Sequence, residues 1–234
     1  MHKALTIAVA QPRTIAFDVV SNARAHARAI RAAQARVVVF PELSLTGYEL
    51  DAQIVTARDQ RIAPIVEACA RTGSLALVGA PVLGPSIGVL AIDGAGATVV
   101  YRKVYLHKPG EGHFRPGGGP AVIDVDGWRL GLAVCRDTGI PEHAARTAAL
   151  GMDGYVAGVV HASRESELHG ERARRVARDH GVWVATAAFA GPTAGVEKTS
   201  GRSGIWSSTG QLITEAGMEP DEVVRAEFVR DQGD

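Results

Sequence analysis

The chain is poor in cysteine, in lysine and in uncharged stretches, and each shortage removes a class of protein. Two cysteines in 234 residues, Cys69 and Cys135, cannot build a disulfide framework, which points to a reducing compartment. The 25 Lys+Arg balance the 25 Asp+Glu, so the formal charge of zero argues against a nucleic-acid surface or a polybasic membrane patch. No His pair has HxxxH spacing and no Cys/His cluster resembles a zinc site. Gly117-Gly118-Gly119 lacks the strand–loop–helix setting of a phosphate cradle and reads as a loop. The apolar run at 4–10 is too short for a signal sequence followed by a cleavage site. The expectation is a soluble, cytoplasmic protein with no nucleic-acid or membrane partner.

One stretch tests the membrane exclusion, because residues 72–92 carry no charge. Four glycines and two prolines interrupt it, which suits two buried strands at 75–78 and 89–92 joined by a Gly/Pro turn.

What is present is 46% hydrophobic and 21% charged, ordinary for a globular chain that buries a sizeable core. Strand-length apolar runs alternate with Ala-rich, charged runs of helix length. Strands are predicted at 5–10, 37–40, 98–102, 121–125, 128–134, 154–160, 182–188, 203–207, 212–214 and 223–229. Helices are predicted at 18–34, 61–72, 141–150 and 167–180. No linker or repeat divides the chain, so one domain over 1–234 is expected. Its class is α/β, with mixed layered sheets covered by helices.

In α/β folds reactive side chains gather where strands end. Glu42 follows the run 37–40 and Pro41, Lys103 follows the strand ending Tyr101-Arg102, and Cys135 follows the strand at 128–134. Only four of the basic residues are lysines, and two of those are Lys103 and Lys108. A compact ammonium kept in an arginine-rich chain suggests a role that a planar guanidinium does not fill. Cys69 shares helical spacing with Ile62, Ile65 and Val66 and reads as a core residue. Cys135 alone admits two readings, a core thiol or one facing a pocket. His161, at another strand end, and His113 are pocket candidates on the same ground, with packing the alternative. His169 and His180 read as solvated. Arg172, Arg174, Arg175 and Arg178 interleave with acids and read as an exposed or dimer-facing helix surface.

The segments 37–48 (VVVFPELSLTGY), 101–103 (YRK) and 131–137 (GLAVCRD), with Pro141-Glu142, occur in the order of the nitrilase superfamily of carbon–nitrogen hydrolases, which the whole chain resembles. The resemblance implies a four-layer αββα sandwich and a catalytic triad of Glu42, Lys103 and Cys135, with Glu111 as a second glutamate. It implies no metal and no cofactor. The activity it implies is thiol-dependent hydrolysis of a small linear amide to acid and ammonia. The alternatives are an N-carbamoyl amidohydrolase and a non-catalytic ligand-binding member. A homodimer or higher homo-oligomer is expected. The segment 135–140 (CRDTGI) departs from the family in lacking an arginine usual a few residues past the nucleophile. Arg136, Arg202, His113 and His161 are therefore the substrate-binding candidates, Arg202 toward an acidic substrate. Residues 191–195 and 200–204 fall in the family's glycine-rich region near the site.

Overall fold

The computed structural model describes residues 4–193 and 196–229; Ala194 and Gly195, singled out above within 191–195, lie outside the described residues. The chain opens with β1 (Leu5–Gln11), α1 (Val19–Ala33), β2 (Val37–Val39), α2 (Ala63–Thr72), β3 (Leu75–Val82), β4 (Ser86–Asp93) and β5 (Gly96–Arg102). It continues through β6 (Ala121–Val125), β7 (Trp128–Val134), α3 (Pro141–Ala148), β8 (Gly154–Val159), α4 (Leu168–His180) and β9 (Trp183–Ala188). It closes with β10 (Gly204–Trp206), β11 (Leu212–Glu215) and β12 (Glu222–Phe228). One sheet runs β12-β1-β2-β3-β4-β5 and the other β11-β10-β9-β8-β7-β6.

Strand periodicity dictates the layering. In β1, Leu5, Ile7 and Val9 join a cluster with Leu130, Leu132, Val134 and Ile205 of the other sheet. The alternate residues Ala8 and Ala10 pack with Ala23, Ala27, Ile30 and Ile65 of α1 and α2. On the far side, Ala133, Tyr155 and Ala157 pack with Ala144, Ala173 and Val176 of α3 and α4. A side-chain period of two gives each sheet two apolar faces, so each is covered on both sides. The result is the αββα sandwich.

Local chemistry sets the element ends. Asp18 Oδ1 accepts from Ser21 N at 3.0 Å and caps α1. A 3₁₀ turn capped by Asp59 leads into α2, and Pro64 sits in its first turn, where its missing N–H costs no bond. The uncharged stretch forms the hairpin β3–β4, with strands longer than the four residues expected of each. Pro81 continues β3 because its missing N–H lies on the side away from β4; its carbonyl there accepts from Val55 N at 2.8 Å. Asp126 (φ 54°) and Gly127 (φ 86°) make the tight turn between β6 and β7.

The order matters for function. In the first sheet β1, β2 and β3 run parallel, and in the second β7, β8 and β9 do. The carboxyl ends of β2 and β7 deliver Glu42 and Cys135, as expected for ligand sites in parallel sheets.

Candidate active site

Glu42 sits between the two sheets, and two glycines make room for it. A Cβ on Gly79 of β3 would lie 2.4 Å from Pro41 O, and one on Gly158 of β8 would lie 2.8 Å from Glu42 N. The backbone at 41–42 is thus clamped from both sheets at distances that only glycine permits. Its carboxylate is fully buried.

Lys103, also fully buried, donates from Nζ to Glu42 Oε1 and to Glu111 Oε1, each at 2.6 Å. Glu111 is held in turn by His107, whose N–H donates to its Oε2 at 2.8 Å. Glu42 Oε2 has no hydrogen-bond partner among the described residues. The cluster therefore holds two carboxylates and one ammonium away from water. Burial pushes the Glu42 carboxyl up to about 7; Lys103 opposes that shift and the charge of Glu111 adds to it. Burial alone would lower the Lys103 ammonium, but the charges of Glu42 and Glu111 hold it above its ordinary value, and an ionised Cys135 would add to them.

Cys135 leaves β7 with φ 42°, a left-handed conformation that a cysteine adopts only under constraint. The constraint is Asp137, two residues on. Its Oδ2 accepts from Val134 N at 3.0 Å and its Oδ1 from Tyr105 N at 2.8 Å, tying the Cys135 turn to the segment that follows Lys103. The Cys135 thiol donates to Val160 O at 3.4 Å. Burial, then the Glu42 charge, pushes it up to about 12, so it rests as a thiol awaiting a base.

A cleft of about 380 Å³ opens beside this cluster, within the range of small-molecule sites. Cys135, Glu111, Tyr48, Arg136, His161 and Arg172 are among its lining residues. The charge of Glu42, followed by burial, raises the Tyr48 phenol, so it stays protonated there as a donor.

Of the substrate-binding candidates, the structure brings two to the cleft. Arg136 is exposed at its edge, with Nη1 3.2 Å from His107 Nδ1. His161 is buried in its wall, and burial pulls its imidazole down to about 3, so it is neutral. The other two lie outside the lining. Arg202 pairs through Nη2 with Glu215 at 3.0 Å and through Nη1 with Glu167, so its charge is already taken up. His113 is exposed, its ring tilted 37° against that of Phe114, with Nε2 2.9 Å from Leu50 O.

Two residues of the charged helix differ from expectation. His169 is buried and stacks on His161 with ring centroids 5.7 Å apart, and Arg172 turns into the cleft. The signal was present: His169, Ala173, Val176 and Ala177 repeat at helical spacing and form the buried stripe of α4, with Arg172 on its margin.

The chain is similar to known proteins in sequence and in fold. The chain is 29% identical to the "hydrolase in pqqF 5′ region" of Pseudomonas protegens, over 93% of this chain and 80% of that one. It superposes on the Nesterenkonia AN1 amidase of the nitrilase superfamily with a TM-score of 0.85 at 26% identity, covering 97% of this chain and 92% of the amidase. Saccharomyces cerevisiae Nit3, of branch 10 of that superfamily, shares the fold with a TM-score of 0.84 at 21% identity, over 96% and 90% of the two chains. Residues 6–233 match the carbon–nitrogen hydrolase family, so the chain belongs to that family and is a hydrolase of non-peptide C–N bonds within the nitrilase superfamily.

Proposed function

We propose that the protein hydrolyses a small linear amide to the carboxylic acid and ammonia through a thioester on Cys135. The observation that carries this reading is the free Oε2 of Glu42, a buried carboxylate oxygen next to a protonated thiol and held by a lysine. Glu42 takes the thiol proton as sulfur attacks the amide carbon. The Lys103 ammonium and the Arg136 N–H stabilise the oxyanion; that N–H opens a 3₁₀ turn, where amides lack intrahelical acceptors. The C–N bond breaks as Glu42 returns the proton to the leaving nitrogen, and ammonia departs. Water, deprotonated by Glu42, then attacks the thioester; the acid leaves and the thiol is restored. A carboxyl near 7 suits a group that both accepts and returns a proton. Glu111 positions Lys103 through the shared hydrogen bond.

The Nesterenkonia amidase is described in complexes with acrylamide and with butyramide, which supports an amide of that size as the first probe. Ammonia release from butyramide is expected from the wild-type protein and is expected to fall at least about 10³-fold in Cys135→Ala. Undiminished release in that variant would end the thioester assignment. Carbon dioxide accompanying ammonia from an N-carbamoyl compound, with butyramide inert, would move it to the carbamoyl branch. The reading includes a homodimer, supported by the exposed Leu212 and Ile213 on the edge strand β11, and light scattering at the working concentration tests it. No helix among the described residues is long and apolar enough to cross a membrane.

A further inference from the structure

Gly139 has no backbone reason to be glycine, because it is not among the positive-φ residues. It ends the turn that begins at Cys135. The three heavy atoms nearest a Cβ placed there all belong to Arg172, with Cζ at 2.9 Å, Nη2 at 3.0 Å and Nε at 3.2 Å. The absent side chain leaves room for a guanidinium arriving from α4. Glycine costs conformational entropy relative to any other residue, so the space is what it supplies.

The guanidinium that fills the space is unneutralised. Arg172 makes no ion pair among the described residues; its one polar contact is Nη1 to His161 Nε2 at 3.4 Å. With Nε2 accepting, the His161 proton resides on Nδ1, a buried donor that also lacks a partner among the described residues. Arg136 and Arg164 line the same cleft and make no ion pair either. Against these three cations the lining offers Glu111, already committed to Lys103, and Glu165, which is exposed and accepts from Ala162 N. Burial lowers the Arg172 guanidinium and the neighbouring Arg175 and Arg136 add to the shift, while the charge of Glu165 opposes it only in part. By contrast Arg202, in the loop before β10, pairs with two carboxylates.

We propose that Arg172, admitted by Gly139, forms a carboxylate-binding subsite in the Cys135 cleft, so that the preferred substrate is the monoamide of a short dicarboxylic acid. The amide end lies at Cys135 and the carboxylate end at the guanidinium, whose fork matches a carboxylate in two parallel hydrogen bonds. The inference rests on Cys135 being the nucleophile. It extends that reading from an amide of any kind to one that carries an anion.

The test compares succinamic acid with butyramide, which differ by a carboxylate in place of a methyl group. Calorimetry on the Cys135→Ala protein measures both affinities without turnover. Succinamic acid is expected to bind about ten-fold or more tightly than butyramide. Adding Arg172→Gln should bring the ratio close to one; a purely structural loss would lower both affinities together and leave the ratio standing. Gly139→Ala, which touches no group in the reaction, should also reduce the ratio by displacing the guanidinium, and it serves should the arginine variant fail to fold. Equal affinities in the parent protein, or a ratio that survives both substitutions, would overturn the subsite. Ammonia release from butyramide by the wild-type protein decides the amidase reading separately, and the binding ratio stands whichever way that assay falls.

Discussion

Glu42, Lys103 and Glu111 form one buried polar cluster beside Cys135; Tyr101, Asp137, His143 and Tyr155 form another beneath the same turn. In the second cluster every polar atom is used. Tyr101 donates to Asp137 Oδ2 at 2.7 Å and accepts from His143 Nε2 at 2.8 Å, which leaves His143 Nδ1 to accept from Tyr155 at 2.9 Å. Burial lowers the His143 imidazole, as a neutral tautomer in this chain requires. In the first cluster one carboxylate oxygen is left over and the charges do not cancel. Buried polar groups that are fully paired rigidify a structure, whereas an unpaired one costs free energy and persists where it has chemistry to do. The satisfied network is a frame for the Cys135 turn, and the unsatisfied one is where the proposed reaction places its proton acceptor.

That contrast is open to attack. The largest expected effect is on Glu42→Gln, which keeps the shape and removes the base: kcat/KM should fall about 10³-fold. Stability should move the other way. A carboxyl raised from 4.5 to about 7 favours the folded state below pH 4.5 and loses that contribution as pH rises through about 7. Chemical denaturation at pH 8 should therefore find the glutamine variant at least as stable as wild type. A variant both inactive and strongly destabilised would make Glu42 structural.

Next comes Asp137→Ala, which strips the frame. It leaves Tyr101 O–H, Val134 N–H and Tyr105 N–H without their acceptor, an expected loss of about 3 kcal/mol in urea unfolding. Activity should drop with it, because the left-handed Cys135 is no longer pinned. Unchanged stability would show that the two clusters do not differ as described.

The smallest effect is the pH profile of the wild-type protein. Below about pH 7 Glu42 takes up a proton and cannot accept the one from Cys135, so kcat/KM should decline about ten-fold per pH unit on the acidic side. An acidic limb near 4.5 instead would mean the carboxyl is not desolvated.

Much of this was legible along the chain. Apolar runs of period two and Ala-rich runs of helical spacing located the strands and helices, because those patterns follow from backbone geometry. Glu42, Lys103 and Cys135 stood out as reactive types at strand ends, and the segments around them carried the resemblance. The substrate-binding candidates were less legible. Arg202, in sequence a candidate for an acidic substrate, pairs with Glu167 and Glu215, one before α4 and the other on β11. Acids interleave with Arg172 in sequence, the pattern of a solvated surface, yet among the described residues none of them pairs with it in space.

By itself the sequence determined which residue types stand at which strand ends, since side-chain alternation and the helical repeat are local consequences of covalent geometry. Only the tertiary structure decided what each of them meets. Glu42 and Lys103 are 61 residues apart and share a hydrogen bond of 2.6 Å, and Gly139 and Arg172 share one small space. Charge, proton affinity and access depend on distance and on exclusion of water, and neither is a property of neighbouring residues in the chain.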